Sequence, residues 1–323
     1  MPTRRSVLLG TTTLFALPTI ARAQAAWAPS KPMRLVVPFA AGSATDIVAR
    51  AISAKLQAAW SQPVIVDNKP GAGGMLAAGD VARAAPDGHT LLVATNTTHA
   101  ANPWLIKNLS YDPVKDFEAV TTVVLGANIV LVHPDLPVKS IAELTAHAKA
   151  NPGKLNFSEG SSSQRMSAEL YKQLTGVNIV HVPYKSSPPA MQDLIAGTVQ
   201  LMFSDPQNAL PQIKAGKVRA LAVTSRTRTK AAPDLPTMIE AGVPDYELTW
   251  WQAIYAPAKT PATIVDAINA KLRDIAADAA TRDLMTAGAA DVVLMSPPEF
   301  AAFTRSEIER WRKTIQAAGI QPE

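Results

Sequence analysis

Short apolar segments alternate with amphipathic ones along most of this chain, and that alternation limits the folds open to it. The first pair is an apolar, β-branched segment at 34–39 and a helical pattern that begins at Asp46. Apolar residues recur at every fourth position of that helix: Val48, Ile52, Leu56 and Trp60. Strands followed closely by helices are typical of a parallel sheet covered by helices on both faces. The sequence therefore predicts an α/β protein.

The alternation occurs in two series, and a chain of 323 residues is long enough for two domains. An apolar segment at 247–258 can return the chain from the second series to the first. We therefore predict a first lobe formed by residues 24–126 with 252–323, and a second lobe formed by residues 127–251. Two chain crossings between such lobes imply a hinged cleft, which usually traps a small solute.

Polar and small residues follow the predicted strands, where an α/β sheet places its ligands. In the first lobe these segments are Ala41–Asp46 and Thr95–His99, and in the second they are Ser158–Gln164 and Ser204–Gln207. The first segment ends at a helix N-terminus, whose free N–H groups and dipole favour a bound carboxylate or phosphate. Two interpretations stay open. The segments bind a small anion, or Asp46 and the hydroxyl residues only cap helices and shape turns.

The composition excludes several kinds of site. The chain has no cysteine, which removes disulfides, zinc–thiolate sites and cysteine nucleophiles. Its five histidines lack the paired spacing of a metal site. Gly71, Gly73 and Gly74 match neither the dinucleotide fingerprint nor a P-loop. We expect no metal and no cofactor.

The first 23 residues have the three parts of an export signal. Arg4 and Arg5 precede an apolar segment too short to anchor in a membrane, and an Ala-x-Ala pattern ends at Ala23. We predict cleavage after Ala23 and a periplasmic mature protein, and the twin arginine favours the twin-arginine export route. Three of the positive charges behind the net charge of +5 lie in this segment. Cleavage removes them and leaves the mature chain with little net charge, so no nucleic-acid partner is expected.

A series of motifs, in order along the chain, resembles one family. It includes P-F-A-A-G-S-A-T-D, V-D-N-K-P-G-A-G-G, P-D-G-H-T-L-L, H-V-P-Y-K and E-A-G-V-P. Together these motifs are similar to those of the Bug (TctC-like) solute-binding proteins, the periplasmic receptors of tripartite tricarboxylate transporters. The resemblance covers essentially the whole mature chain. It implies two Rossmann-like lobes in a Venus-flytrap arrangement with type II periplasmic-binding topology.

The resemblance also implies a solute, a partner and a set of contacts. The solute would be a small organic di- or tricarboxylate, aromatic acids included, held mainly by uncharged hydrogen-bond donors. The partner would be the membrane subunits of a tripartite tricarboxylate transporter. We expect a monomer that is not an enzyme. Carried over by motif, the first-lobe contacts are Ala41, Gly42, Ser43, Asp46, Thr95, Asn96 and Thr97, and the second-lobe contacts are Ser161, Ser162, Ser163 and Asp205.

The chain departs from the family pattern at three points. Ser43 replaces the second glycine of A-A-G-G-x-x-D, and Ser186 replaces the glycine that usually follows H-V-P-Y-K. The loop after L-N-F is shorter than usual and carries Glu159 and Arg165. Arg165 either pairs with a distal carboxylate of the solute or pairs with Glu169, four residues further on. The sequence leaves both pairings open.

Two other functions compete with the transport receptor. A periplasmic hydrolase needs a nucleophile elbow G-x-S-x-G or an equivalent serine–histidine pair, and G-S-S-S-Q is not one. A periplasmic sensor that signals to a membrane receptor would use the same two-lobed cleft. The sequence disfavours the hydrolase and does not separate the sensor from the transport receptor.

Overall fold

The computed structural model describes residues 27–230, 232–286 and 290–322. The predicted signal peptide, residues 1–23, lies outside the described residues. The strands are β1 (Met33–Val37), β2 (Val64–Asn68), β3 (Thr90–Thr95), β4 (Phe117–Ala127), β5 (Ile129–Val132), β6 (Asn156–Glu159), β7 (Val180–Pro183), β8 (Leu201–Ser204), β9 (Arg219–Val223), β10 (Thr249–Pro257) and β11 (Ala290–Val292).

Helices follow most of these strands, as the alternation in the sequence predicts. They are α1 (Ala44–Trp60), α2 (Met75–Ala82), α3 (Asn102–Leu105), α4 (Ile141–Ala150), α5 (Ser162–Thr175), α6 (Ser187–Ile195), α7 (Pro206–Lys214), α8 (Ala262–Ala277), α9 (Ala279–Thr286) and α10 (Pro297–Ala317). A 3-10 turn at Ala72–Gly74 precedes α2, and a π-helical turn at Thr97–Ala101 precedes α3.

The first sheet has six strands in the order β11-β4-β10-β3-β1-β2. β1 pairs in parallel with β2 and β3, whereas β10 pairs antiparallel with β3 and β4. The apolar face predicted for α1 is confirmed, because Val48, Ile52 and Leu56 are fully buried and Trp60 packs against the same cluster. We call this sheet, with α1–α3 and α8–α10, the first lobe.

The second sheet has five strands in the order β7-β6-β8-β5-β9. β6 pairs in parallel with β7 and β8, whereas β5 pairs antiparallel with β8 and β9. We call this sheet, with α4–α7, the second lobe. Two sheets with their own helices confirm the predicted fold class. The residues at which the lobes divide, after 126 and after 251, stay a prediction.

The segments that cross between the lobes lie side by side and bind one another. The N–H of Asn128, between β4 and β5, donates to Oγ1 of Thr224 at 2.8 Å, and the N–H of Thr224 donates back to the carbonyl of Asn128 at 2.9 Å. Oγ1 of Thr224 also donates to the carbonyl of Leu248 at 2.8 Å, just before β10. We call these three residues the hinge. Three chain segments are therefore fixed to each other where the lobes join.

No helix in the described part of the chain is long and apolar enough to cross a membrane. The same residues contain no group of three or more His, Cys, Asp or Glu side chains placed to hold a metal ion.

Candidate functional site

A small cavity lies between the two lobes, at the carboxyl ends of the central strands. From the first lobe it is lined by Phe39 and by residues 43–45, 95–97 and 250–252, and from the second lobe by Gly160, Ser161, Ser163, Ser187 and Asp205. Its volume is about 20 Å³, which is room for about one water molecule. The two lobes are therefore nearly in contact here. We call this space the inner cavity.

The turn between β1 and α1 forms one wall of the inner cavity. Ser43 is the N-cap residue of α1, and its Oγ accepts a hydrogen bond from the N–H of Asp46 at 3.3 Å. Ala44 and Thr45, the first two residues of the helix, line the cavity. The first N–H groups of a helix have no carbonyl partner within it, and the helix dipole makes this end positive. The turn therefore places the positive end of α1 at the wall of the inner cavity, and anion binding there stays a prediction.

Asp46 stabilises that turn from behind. Its Oδ2 accepts hydrogen bonds from the N–H of Gly42 and from Nε of Arg50, each at 2.9 Å, and its Oδ1 accepts one from Nδ2 of Asn68 at 3.0 Å. Burial raises the pKa of Asp46, but the bonds from Arg50, Gly42 and Asn68 outweigh burial and hold the pKa below its usual value. The carboxylate is therefore ionised and occupied in shaping the turn.

The end of β3 supplies uncharged polar groups to the inner cavity. Oγ1 of Thr95 and Nδ2 of Asn96 are buried, and neither has a hydrogen-bond partner among the described residues. Oδ1 of Asn96 accepts a bond from the N–H of Trp251 at 3.4 Å. Because the carbonyl end of the amide is engaged, Nδ2 is left as a donor for another molecule.

His99, at the end of the same polar segment, belongs to the core. Its ring stacks on Tyr255 with the ring centroids 4.0 Å apart. Burial lowers the pKa of His99 to about 3, so the imidazole is neutral at ordinary pH. The sequence places the whole of Thr95–His99 at the cleft. The structure limits the cavity-lining part to residues 95–97 because the π-helical turn carries His99 inward.

Gln164 joins the loops that form the second-lobe wall of the inner cavity. Its Oε1 accepts a hydrogen bond from the N–H of Gly160 at 2.7 Å. Its Nε2 donates to Oγ of Ser187 at 2.6 Å and to Oδ2 of Asp205 at 2.7 Å. One buried amide therefore connects the loop after β6, the start of α6 and the loop after β8. The serine-rich segment is the N-terminus of α5, with Ser161 at the N-cap.

Gly160 allows two of these loops to touch. A Cβ built on it would lie 2.1 Å from both the carbonyl carbon of Ser186 and the nitrogen of Ser187. Real Cβ atoms do not come that close to backbone. A larger residue would force the two loops apart, so glycine allows the contact that holds the loop after β6 against the N-terminus of α6.

Asp205 is the titratable group of the inner cavity. Its Oδ2 accepts bonds from Gln164 and, at 3.2 Å, from Oγ of Ser187. Burial raises the pKa of Asp205 to about 6, although these two bonds oppose the shift. Below that pH the carboxyl holds a proton and can donate to an anion, whereas above it the carboxylate repels one.

One hydrogen bond links the lobes directly at the cleft. The N–H of Ser162 donates to Oγ1 of Thr97 at 3.1 Å. Close by, Nε1 of Trp250 and Oε1 of Gln252 are buried without a partner among the described residues. Both belong to β10, so the strand that returns the chain to the first lobe also lines the inner cavity.

The structure brings together most of the residues that the sequence selects. Seven of them line the inner cavity: Ser43, Thr95, Asn96, Thr97, Ser161, Ser163 and Asp205. Ser162 lines a wider groove that continues from it. Ala41 and Gly42 are exposed and Asp46 is buried, and none of these three lines the inner cavity. That any of these residues contacts a solute stays a prediction.

Sequence reasoning missed Ser187 and Gln252, and it included Gly160 and Gln164 only as members of the segment Ser158–Gln164, without a role of their own. Gly160 and Gln164 act through contacts with loops far along the chain, which no local pattern reports. Ser187 had a weak signal, because K-S-S-P-P combines an N-cap serine with prolines that suit a first helical turn. Gln252 lies in an otherwise apolar strand, and a polar residue in such a strand is the signal that identifies it.

The described residues that line the inner cavity include no lysine, arginine or histidine. The donors there are backbone N–H groups at helix N-termini, serine and threonine hydroxyls and the amide of Asn96. Such uncharged groups bind an anion through hydrogen bonds. The arrangement therefore suits capture of a small anionic group between two lobes.

Comparisons with known proteins point the same way. Residues 48–320 match the TctC family, described as the tripartite tricarboxylate transporter family receptor. A UPF0065 protein of Bordetella bronchiseptica is 37% identical over 304 residues, which cover 94% of this chain and 90% of that protein.

Two solved structures are similar over nearly the whole chain. A protein of Rhodopseudomonas palustris with adipate is 36% identical, with a TM-score of 0.88, and the match covers 91% of this chain and 99% of that one. MatC from Rhodopseudomonas palustris, with bound malate, is 34% identical, with a TM-score of 0.84 and coverage of 89% and 99%.

Proposed function

This chain belongs to the TctC (Bug) family of tripartite tricarboxylate transporter receptors, and from that premise we propose that it captures a small organic carboxylate between its lobes. It then delivers the acid to the membrane subunits of a tripartite tricarboxylate-type transporter. Capture takes place in the periplasm, to which the predicted signal peptide directs the chain. A receptor family supports a binding role and gives no reason to assign catalysis.

The observation that carries this proposal is a set of buried polar atoms without partners, contributed by separate segments. Thr95 Oγ1, Asn96 Nδ2 and Trp250 Nε1 are all buried in this state, and their residues all line the inner cavity. Buried polar atoms in folded proteins nearly always have partners, because leaving them without one is costly. A carboxylate that enters the cleft would supply acceptors for such donors. The adipate and malate of the two similar structures support an acid as the solute.

Hydrogen bonds from neutral donors are sufficient for useful affinity. A carboxylate accepts about four hydrogen bonds, and each charge-assisted bond contributes roughly 1.5–3 kcal/mol. Three to five such bonds give ~5–15 kcal/mol before ordering costs, which brackets the ~8 kcal/mol of micromolar binding. A transport receptor must also release its solute. Neutral donors favour release, since a desolvated bidentate arginine holds a carboxylate more strongly.

Closure of the lobes follows from the same geometry. Donors from both lobes line one small cavity, so an acid that touches both binds the closed state better than the open state. The bond from Ser162 to Thr97 adds a direct contact in the closed state. The hinge keeps the crossing segments together while the lobes swing.

A thermal-shift panel of mono-, di- and tricarboxylates, aliphatic and aromatic, tests the proposal. A bound acid at ~100 times its Kd adds ~2.7 kcal/mol of stability, which raises Tm by several degrees. Asn96→Asp should abolish the shift by placing a carboxylate against the solute, whereas the exposed Asn108→Asp should not. If no acid shifts the wild-type protein, carboxylate capture is wrong.

Delivery needs a separate test in cells. Uptake of the labelled acid should fall when the gene is deleted and recover with the wild-type copy but not with Asn96→Asp. Normal uptake in the deletion strain would contradict the transport role and favour a sensor.

A further inference from the structure

Asp205 is the one titratable side chain among the described residues that line the inner cavity. It is 8% exposed, and the cavity beside it has a volume of about 20 Å³. The other polar groups of the described lining are hydroxyls, amides, indoles and backbone atoms, and none of them carries a positive charge. A carboxylate held by these donors must therefore lie beside the carboxyl group of Asp205.

Two carboxylates confined to one small buried space do not both stay ionised. Their repulsion is strong because little water remains between them to screen it. Proteins relieve such repulsion by keeping one proton on the pair, as the two aspartates of aspartic proteases do. Since the described lining offers no cation in place of that proton, the solute and Asp205 need a proton between them.

The hydrogen bonds to Asp205 leave one of its oxygens available for this proton. Oδ2 accepts bonds from Nε2 of Gln164 at 2.7 Å and from Oγ of Ser187 at 3.2 Å, which fix the carboxyl group. Oδ1 accepts no bond from another residue of the described chain. Burial already raises the pKa of Asp205 to about 6, and a second negative charge beside it extends the protonated range through neutral pH.

Charged groups of the surrounding elements are engaged elsewhere. α5 and α6 face Asp205 with the uncharged Gln164 and Ser187. Across the cleft, Asp46 is buried behind the first turn of α1 and pairs with Arg50 at 2.9 Å. Other charged residues near these loops line the wider groove or lie in the last turn of α7: Glu159, Arg165, Lys185 and Lys214. The protonation of Asp205 is therefore governed by burial, by its two hydrogen bonds and by the solute.

From this arrangement we propose that capture of the acid takes up one proton from the surrounding water, and that Asp205 holds this proton and donates a hydrogen bond to the carboxylate of the solute. The inference rests on the proposed function and adds to it the regulation of the site. The proton is a second ligand of the inner cavity. Because only protein with a protonated Asp205 is ready to bind, the apparent affinity follows the fraction of that form. Acid conditions load the receptor, and alkaline conditions unload it.

Calorimetric titration of the mature protein tests this inference. The probes are adipate and malate, or the acid that raises Tm most where these two do not bind, and their carboxyl groups are ionised throughout the range used. Titrations at pH 7.5 in HEPES and in Tris, which differ in ionisation enthalpy, count the protons exchanged. About one proton should be taken up per acid, and the affinity should fall about tenfold between pH 7 and pH 8.

Asp205→Asn separates this proton from any other. Its amide oxygen can accept the bonds from Gln164 and Ser187, and its NH₂ group is a donor at every pH. The variant should take up no proton, and its affinity should stay constant from pH 7 to pH 8. Asp135→Asn, which removes an exposed carboxylate from the same lobe, should behave as wild type.

Two results would overturn the inference. One is binding to wild type without proton uptake at pH 7.5, which needs no variant to interpret. The other is uptake that persists in Asp205→Asn, because the proton would then reside on another group. Failure of every acid to bind at any pH would instead overturn the proposed function.

Discussion

The N–H of Ser162, the first residue of α5, donates a hydrogen bond across the cleft to Oγ1 of Thr97, 3.1 Å away in the opposite lobe. Thr97 lines both the inner cavity and the wider groove that continues from it, and Ser162 lines that groove. The bond therefore lies where the two spaces meet. Opening the cleft must break it, and the N–H at the start of α5 must then find another acceptor.

Thr97→Val should shift the free protein toward the open state, because valine cannot accept the bond from Ser162. The radius of gyration from small-angle scattering should rise without solute, and solute affinity should fall about three- to tenfold for one lost hydrogen bond. Thr97→Ser keeps the hydroxyl and is the control. An unchanged radius together with unchanged affinity in Thr97→Val would show that the bond has no part in closure.

Gly160→Ala should both destabilise the protein and weaken solute binding. The new methyl group would meet the backbone at Ser186 and Ser187, so the loop after β6 must move away from the start of α6. Overpacking of this kind costs about 1–3 kcal/mol. Urea denaturation measures the loss and titration measures the affinity. Gly176→Ala, where a Cβ meets nothing within 4 Å, should cost stability through its positive φ but leave affinity unchanged.

Asp46→Asn should destabilise the protein at pH 7 by about 1–3 kcal/mol, because a charged acceptor of buried hydrogen bonds is lost. The pKa of Asp46 is lowered by folding, so its contribution is present above the ordinary value of 3.8 and disappears as pH falls through the folded pKa. The difference from wild type should therefore shrink in acid. Exposed Asp266→Asn is the control. A pH-independent difference would contradict the assigned role of the charge.

Asp205 should give the opposite pH dependence. Its pKa is raised to about 6 in the folded state, so the folded protein binds the proton more strongly than the unfolded chain does. Stability should then fall as pH rises from about 4 to 6. Relative to wild type, Asp205→Asn should gain up to about 3 kcal/mol over that range. Tm of both proteins across pH 4–7 measures this, and a constant difference would contradict it.

Local patterns were enough to predict the β1–α1 unit. The four-residue periodicity of α1 identifies its buried face, but the helix begins at Ala44 with Ser43 as its N-cap, ahead of the start and the cap that the sequence predicts at Asp46. The sequence could not show that Asp46 is used inside the turn, because Arg50 and Asn68 reach it only in the folded chain. The interpretation of Asp46 as the N-cap is therefore wrong, because Ser43 caps the helix and Asp46 instead accepts bonds that shape the turn.

The second-lobe wall of the inner cavity is formed by contacts between segments that are distant in the sequence. Gln164 and Asp205 are 41 residues apart and meet through a single hydrogen bond of 2.7 Å. The serine-rich segment predicted the place of that wall, but not that Gln164 would be buried to join its loops. Glu169 forms an ion pair with Lys172 at 2.8 Å, which leaves both predicted pairings of Arg165 open.

The ionic strength of the surroundings should matter little to the inner cavity. Arg50 pairs with Asp46 behind the turn, and the donors that line the cavity are dipoles, while its one carboxyl, Asp205, is buried and bonded to Gln164 and Ser187. Dissolved salt weakens attraction between exposed full charges but has little access to short hydrogen bonds in a closed space. A site whose donors are dipoles would keep its hold on the proposed acid from dilute to saline water.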